Sequence, residues 1–303
     1  MPTLENLTVF GAGVMGSQIM MQAAYAGKTV VGYDISDEIL DGLKDRWEWM
    51  RTYYRRDLDG FTDEKFDLAV SRISTTTSVM AAMANADMVI EAVPEDLDIK
   101  RTLWEQISES DPGHAILTTN SSYFLPSEIA PSVRRSNRFA ALHFATLVWL
   151  ANIGEFMGHV GTDPDTLDAI AQFGEEINLR VFRVRKETRG YLLNAQIVPL
   201  IKEAARLYVN GVGTFDEINE SFKVGLAAPS GVVDTFDSAG FNVFYSIFAN
   251  DEDPSLREFA NVMKIGIENG KTGVGDREGF YTYAEDGRKT GLSNQVPAVW
   301  EKK

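Results

Sequence analysis

The chain has 303 residues, 44% hydrophobic and 11% aromatic, with 44 acids against 29 Lys and Arg for a formal charge of −15. That length and apolar content suit two domains with sizeable cores, and the acidic balance argues against nucleic acid or an anionic membrane surface as the main partner. Cysteine is absent, which excludes disulfides, thiolate nucleophiles and thiolate metal sites.

Residues 4–10, LENLTVF, read as a strand, Gly11-Ala12-Gly13-Val14-Met15-Gly16 as a glycine turn, 17–27 as a helix, and 28–34, KTVVGYD, as a second strand closed by Asp34. Strand, glycine turn, helix and strand ending in an acid make up the dinucleotide-binding fingerprint with its context intact. Gly11 permits the tight turn, Gly13 lets backbone approach a pyrophosphate, and Gly16 lets the helix pack close to the sheet. Val14 and Met15 lead into the helix, whose free N–H groups and positive dipole end favour phosphate. A carboxylate at Asp34 accepts both ribose hydroxyls and repels a 2′-phosphate, and Ile35 and Ser36 supply no arginine for one. NAD is therefore expected over NADP.

Ser36 is a candidate N-cap for a helix over 37–56. Its end mixes Trp47, Trp49, Tyr53 and Tyr54 with Arg46, Arg51, Arg55 and Arg56. Gly60 breaks it, and 63–71 reads as a second, antiparallel helix. This arm reads either as an amphipathic hairpin with a solvated basic edge or as a flexible arm whose Arg51, Arg55 and Arg56 meet a phosphorylated ligand. Strands follow over 73–76, 87–92 and 115–119, alternating with helices over 78–85 and 96–110. The alternation predicts a parallel sheet covered on both faces, with the strand ends at 91–95 and 118–122 lining the cleft.

From Asn137 the pattern changes. Residues 138–143 read as a strand ending in His143, 151–158 as another carrying Glu155, 163–176 as a helix and 180–184 as a strand. Helices over 191–210, 216–224, 232–239 and 254–269 complete the chain, with Gly211 stopping the first. The expected fold is α/β: an N-terminal Rossmann-type doubly wound domain over 1–187 and an all-α C-terminal domain over 188–303. A His and a Glu on neighbouring strands make a proton carrier with an orienter, because the carboxylate sets the tautomer and stabilises imidazolium. The same spacing also occurs in ordinary ion pairs.

Seven blocks in order resemble the L-3-hydroxyacyl-CoA dehydrogenase family across nearly the whole chain. They are GAGVMGSQI with Asp34; Ile90-Glu91-Ala92-Val93-Pro94-Glu95 with Lys100; Asn120-Ser121-Ser122; Arg138-Phe139, His143-Phe144 and Glu155; Arg189 to Asn194; Leu226 to Asp237; and Lys271 to Tyr281. The resemblance implies NAD-dependent oxidation of a short-chain L-3-hydroxyacyl-CoA, such as 3-hydroxybutyryl-CoA, and the reverse reaction. His143 would be the general base and acid, Glu155 its orienter, and Ser121 and Asn194 hydrogen-bonding partners of the reacting oxygen or the imidazole. Glu95, Lys100 and Asn120 would line the cofactor site. The resemblance also implies a homodimer through the C-terminal domain.

Departures from the family pattern fall around the histidine. Thr146 and Leu147 stand where the family has Asn-Pro, Arg189 replaces a proline, and the interval from Ser121 to His143 is one residue too long. They keep open a dehydrogenase for a non-CoA 3-hydroxy acid, gulonate- or carnitine-like, and a non-catalytic NAD-binding protein. The β-hydroxyacid dehydrogenases share the glycine-rich start but use a lysine where Gly190 stands. The three histidines, His114, His143 and His159, show no metal-ligand spacing, so no metal is expected. The longest apolar stretch, 139–153, is too short for a bilayer and no signal-peptide pattern opens the chain, so a cytoplasmic location and no membrane partner are expected.

Overall fold

The structure, a computed structural model, describes residues 4–294, so the extreme ends of the two expected domains lie outside it. The chain falls into two compact units, one through Leu192 and one from Leu193.

The first unit runs β1 (Asn6–Phe10), α1 (Val14–Tyr25), β2 (Thr29–Tyr33), α2 (Asp37–Asp41), α3 (Leu43–Asp57), α4 (Asp63–Ser71), β3 (Ile73–Thr76), α5 (Val79–Met83) and β4 (Met88–Glu91). It continues through α6 (Leu97–Ser110), β5 (Ile116–Thr119), α7 (Pro126–Ile129), β6 (Phe139–Phe144), β7 (Ile153–Gly158), α8 (Pro164–Glu176) and β8 (Arg180–Arg183). Starts are capped as the local sequence dictates: Ser36, Thr62 and Ser78 hydroxyls and the Asp96 carboxylate accept from first-turn N–H groups. The helix expected over 37–56 is interrupted at Gly42, a poor residue for a helix interior.

All eight strands form one sheet in the order β3-β2-β1-β4-β5-β6-β7-β8. β1 to β6 are parallel because a helix carries each return. β7, beyond the change of pattern at Asn137, runs antiparallel to β6, since the loop between them is too short for a crossover. β8 is again parallel to β7, returning through α8. The order reverses between β1 and β4, the switch point at whose carboxyl edge ligands sit in such sheets.

Strand alternation builds a core on each face. Leu7 and Val9 pack with Ile19, Met20, Tyr54, Phe66 and Phe173. Phe10 packs on the other face with Met83, Leu103, Trp104 and Ile107, and the Thr8 hydroxyl between them donates to the Ala82 carbonyl at 2.7 Å.

The second unit comprises α9 (Leu193–Val209), α10 (Phe215–Leu226), α11 (Asp234–Ala239), α12 (Phe241–Phe248) and α13 (Pro254–Glu268). A hairpin, β9 (Tyr281–Tyr283) with β10 (Lys289–Leu292), follows. The unit is helical, as expected, but the all-α reading leaves out this hairpin. Its anchor is buried Asp237, which accepts from Phe280 N at 2.8 Å, Tyr281 N at 2.9 Å and the Tyr283 hydroxyl at 2.7 Å. An aromatic core of Tyr208, Phe215, Phe236, Phe259 and Phe280 fills the unit, with Tyr208 and Phe215 stacked at 3.7 Å. Among the described residues no helix is long and apolar enough to cross a membrane, and no cluster of His, Asp and Glu could hold a metal ion.

Candidate active site

The glycine turn after β1 carries out three different steric tasks. Gly11 has φ +100°, and a Cβ there would lie 2.6 Å from the Ala92 carbonyl oxygen. A Cβ at Gly16 would stand 1.7 Å from the Gly11 oxygen, so only glycine lets α1 come this close to the turn. Around Gly13 a Cβ would meet nothing within 4 Å. That open cradle lies at the N-terminus of α1, which has no side-chain cap and no acid in its first turn. Val14 is exposed there, and Met15 is half-buried with Sδ 3.7 Å from the Thr146 hydroxyl. Free N–H groups facing open space fit a dinucleotide pyrophosphate. Asp34 is docked on the same turn, accepting from Ala12 N and Ile35 N, both at 2.8 Å. The Arg46 guanidinium reaches over from α3 to the Ala12 carbonyl at 3.0 Å, a neighbour of the turn that no sequence motif marks.

The end of β4 carries a buried ionic network. Glu91, fully buried, accepts from Lys100 Nζ at 2.7 Å, Val93 N at 3.0 Å, Thr119 Oγ1 at 2.7 Å and Trp104 Nε1 at 3.4 Å. Lys100 is only 1% exposed and is also 3.2 Å from Glu95 Oε2. The resemblance assigns Lys100 to the cofactor; in the structure its ammonium is enclosed by Glu91, Glu95 and the Val93 carbonyl. A charge is tolerated at such a position only when paired, and the pairing directs Lys100 inward. Glu95, partly exposed, links the network to the turn after β5 by accepting from Ser121 Oγ and from Tyr123 N at 2.8 Å.

That turn places Ser122, rather than the expected Ser121, against the imidazole. Ser121 is buried; its hydroxyl donates to Glu95 and accepts from Phe124 N at 2.8 Å. Exposed Ser122 is the one on the imidazole, with Oγ 3.0 Å from His143 Nε2. The interval counted from Ser121 is one residue too long, a signal that could have singled out Ser122. Asn120 uses its side-chain oxygen to accept from Phe144 N at 2.9 Å, tying the end of β5 to the residue after the histidine.

The dyad is formed by strand register. His143 on β6 pairs directly with Glu155 on β7, and Nδ1 lies 3.1 Å from the buried Glu155 Oε2. With a carboxylate on Nδ1, the neutral ring is assigned its proton there, leaving Nε2 as the acceptor. Tyr191 stacks on the imidazole. Burial, with Glu95, Glu155 and Glu91 adding to it, pushes its phenol well above the ordinary range.

The departures have structural counterparts. Leu147 has φ +63°, which proline's ring forbids, so this loop follows a path that an Asn-Pro sequence could not take. Gln18 Oε1 holds it, accepting from Leu147 N at 2.8 Å and Val148 N at 3.3 Å. Arg189 braces the serine turn, donating to the Tyr123 carbonyl at 2.9 Å and to Glu128 at 3.0 Å, and thereby holding the Glu128 carboxyl below its usual range.

In the arm, each of the three candidate phosphate-binding arginines has a carboxylate partner. Arg51 pairs with Glu48, Asp63 and Asp67, Arg55 with Asp63 and Arg56 with Asp57. Carboxylates of the arm itself thus engage all three guanidinium groups. Asn194 stands in the first turn of α9, in the second unit.

Comparisons with known proteins point the same way across the chain. A family model described as 3-hydroxyacyl-CoA dehydrogenase, NAD binding domain, matches residues 6–188, and its companion, the C-terminal domain, matches 190–283. A Caenorhabditis elegans protein named as a probable 3-hydroxyacyl-CoA dehydrogenase is 30% identical over 93% of this chain and 97% of its own. The 3-hydroxybutyryl-CoA dehydrogenase of Clostridioides difficile is 28% identical over 92% of this chain and 99% of its own. Among solved structures, a diketoreductase studied for its catalysis on dicarbonyl compounds is 38% identical with a TM-score of 0.86, over 93% of this chain and all of that one.

Proposed function

The chain belongs to the 3-hydroxyacyl-CoA dehydrogenase family, as an NAD-dependent oxidoreductase, and on that premise we propose that it oxidises the C3 hydroxyl of a short-chain L-3-hydroxyacyl-CoA to the 3-ketoacyl-CoA, and catalyses the reverse, with His143 as general base and acid. The observation that carries this reading is the line Ser122–His143–Glu155, with both ring nitrogens engaged at 3.0 and 3.1 Å.

Bound NAD supplies the hydride acceptor. The open turn at Gly13 and the first-turn N–H groups of α1 would hold its pyrophosphate, and Asp34 its ribose. His143 Nε2 takes the hydroxyl proton in oxidation and returns it in reduction. Glu155 stabilises the imidazolium so formed, and being buried it acts with little solvent screening. Ser122 keeps a hydroxyl at the position where the substrate oxygen must arrive, a donor available as charge develops there. On the resemblance alone, Asn194 is included as a further donor to that oxygen, and association into a homodimer through the helical unit belongs to the same proposal.

A second reading, a dehydrogenase of a non-CoA 3-hydroxy or 3-oxo compound, is favoured by two observations. The arm arginines are engaged by their own carboxylates, and the loop after His143 takes its own path through Leu147. NADH formation with 3-hydroxybutyryl-CoA against a panel of free hydroxy acids separates the two. Absence of turnover with every CoA ester refutes the first. His143→Ala is expected to lower turnover at least about a hundredfold; wild-type turnover would remove His143 from the chemistry.

A further inference from the structure

Tyr191 stands in the Arg189 to Asn194 block, in which the resemblance gave it no role. Its ring lies parallel to the His143 imidazole, at 8° with centroids 4.5 Å apart, the geometry of an offset stack. The side chain is buried, and its hydroxyl donates to the Ser121 carbonyl at 2.7 Å. The phenol therefore reaches from the serine turn to the face of the histidine.

The backbone departs from ordinary conformations to put it there. Gly190 has φ +79° and Tyr191 φ +53°. The first value costs glycine nothing, but the second is a sparsely populated region for a bulky residue and persists only where the surroundings impose it. Three contacts impose it here: the stack, the hydroxyl bond to Ser121, and the next N–H, Leu192 N, which donates to Glu155 Oε1 at 2.8 Å. One turn thus supports both members of the dyad, with a ring face against the histidine and an N–H on the carboxylate oxygen that the histidine does not use.

We propose that Tyr191 is a positioning residue for His143, its ring fixing the imidazole plane so that Nδ1 stays on Glu155 while Nε2 faces Ser122 and the reacting oxygen. The inference rests on His143 being the general base. Only the aromatic face is required by this role; the hydroxyl anchors the ring, and burial holds it as well.

The test uses the full chain and compares Tyr191→Phe, Tyr191→Leu and Tyr191→Met with His143→Asn. Read for each are kcat, KM for both substrates and the NAD dissociation constant by fluorescence titration, and for the Tyr191 variants the 15N shift of the His143 Nδ1–H by NMR, which reports whether the ring keeps its proton toward Glu155. Tyr191→Phe is expected to keep the shift and to hold kcat within about threefold. Leu and Met, which fill volume without a face, change the shift and lower kcat by about tenfold to a hundredfold, as small misplacements of a catalytic group do. NAD binding by both stays within about twofold, which excludes a collapsed first unit. Wild-type kcat in Leu and Met overturns the proposal, and so does a Phe variant as slow as they are, which would assign the effect to the hydroxyl. Should His143→Asn keep wild-type turnover, the general-base reading fails, and the NMR shift decides the positioning independently: unchanged in Leu and Met, it overturns it.

Discussion

Lys100 distinguishes two accounts of the end of β4, one in which it touches the cofactor and one in which it neutralises a buried carboxylate. Lys100→Met keeps most of the aliphatic stem and removes the ammonium 2.7 Å from Glu91. Glu91 would keep its bonds from Val93 N, Thr119 and Trp104 but lose its only close cation among the described residues. Breaking one side of a buried ion pair costs about 3–5 kcal/mol, because the remaining charge is left uncompensated out of water. For a unit of this size that lowers the melting temperature by roughly 10 °C. The double variant Glu91→Gln/Lys100→Met removes the stranded charge and should recover most of the loss. Urea unfolding followed by far-UV circular dichroism measures the stability, and NAD titration well below the transition measures the cofactor term. A single variant within about 1 kcal/mol of wild type, with NAD binding weakened tenfold, would refute the reasoning and restore Lys100 to the cofactor.

Two further predictions address the serine turn and the second unit. Ser122→Ala should lower kcat about tenfold with NAD binding unchanged, whereas Ser121→Ala should mainly destabilise, by about 1–2 kcal/mol, since it strips acceptors and donors from a buried turn; steady-state kinetics beside urea unfolding reads both, and a larger kcat effect at Ser121 with stability intact would reverse the assignment. Burial raises the Asp237 carboxyl from 3.8 to about 6, against the lowering by Phe280 N, the Tyr283 hydroxyl and Tyr281 N. The folded state thus holds this proton more tightly than the unfolded chain, so the contribution is fully present below about pH 4 and is lost as pH rises to about 6, by about 3 kcal/mol. The stability difference between wild type and Asp237→Asn, measured by urea unfolding from pH 4 to 7, should fall across that window, and a flat difference would contradict the raised value.

The local parts of this protein were legible residue by residue. Gly11, Gly13, Gly16 and Asp34 act through backbone sterics and short-range hydrogen bonds among neighbours in one strand–turn–helix–strand unit, so their order along the chain already implies their geometry. His143 and Glu155 were legible for a related reason: a short loop between two strands makes them antiparallel, and strand register then sets the residues side by side. The roles of Ser121 and Ser122 could not be separated in this way, because adjacent turn residues point in different directions and the choice depends on Glu95 accepting from one of them. The surroundings of Lys100, assigned to the cofactor by resemblance, and of Arg51, Arg55 and Arg56 were not legible, because a sequence records a cation and not its partner. Their carboxylates come from Glu91, Glu48, Asp57, Asp63 and Asp67, placed by helix and strand packing. Tyr191 lies furthest from sequence reasoning, since its place on the imidazole requires two consecutive positive φ angles and a carbonyl 70 residues earlier in the chain. Sequence by itself determined the dinucleotide turn, the family and the dyad, whose geometry is carried by neighbours in the chain and by strand register. Tertiary structure alone decided which serine meets the histidine, which cations are already neutralised and what holds the imidazole in plane, because each depends on groups brought together only when the sheet and its helices pack.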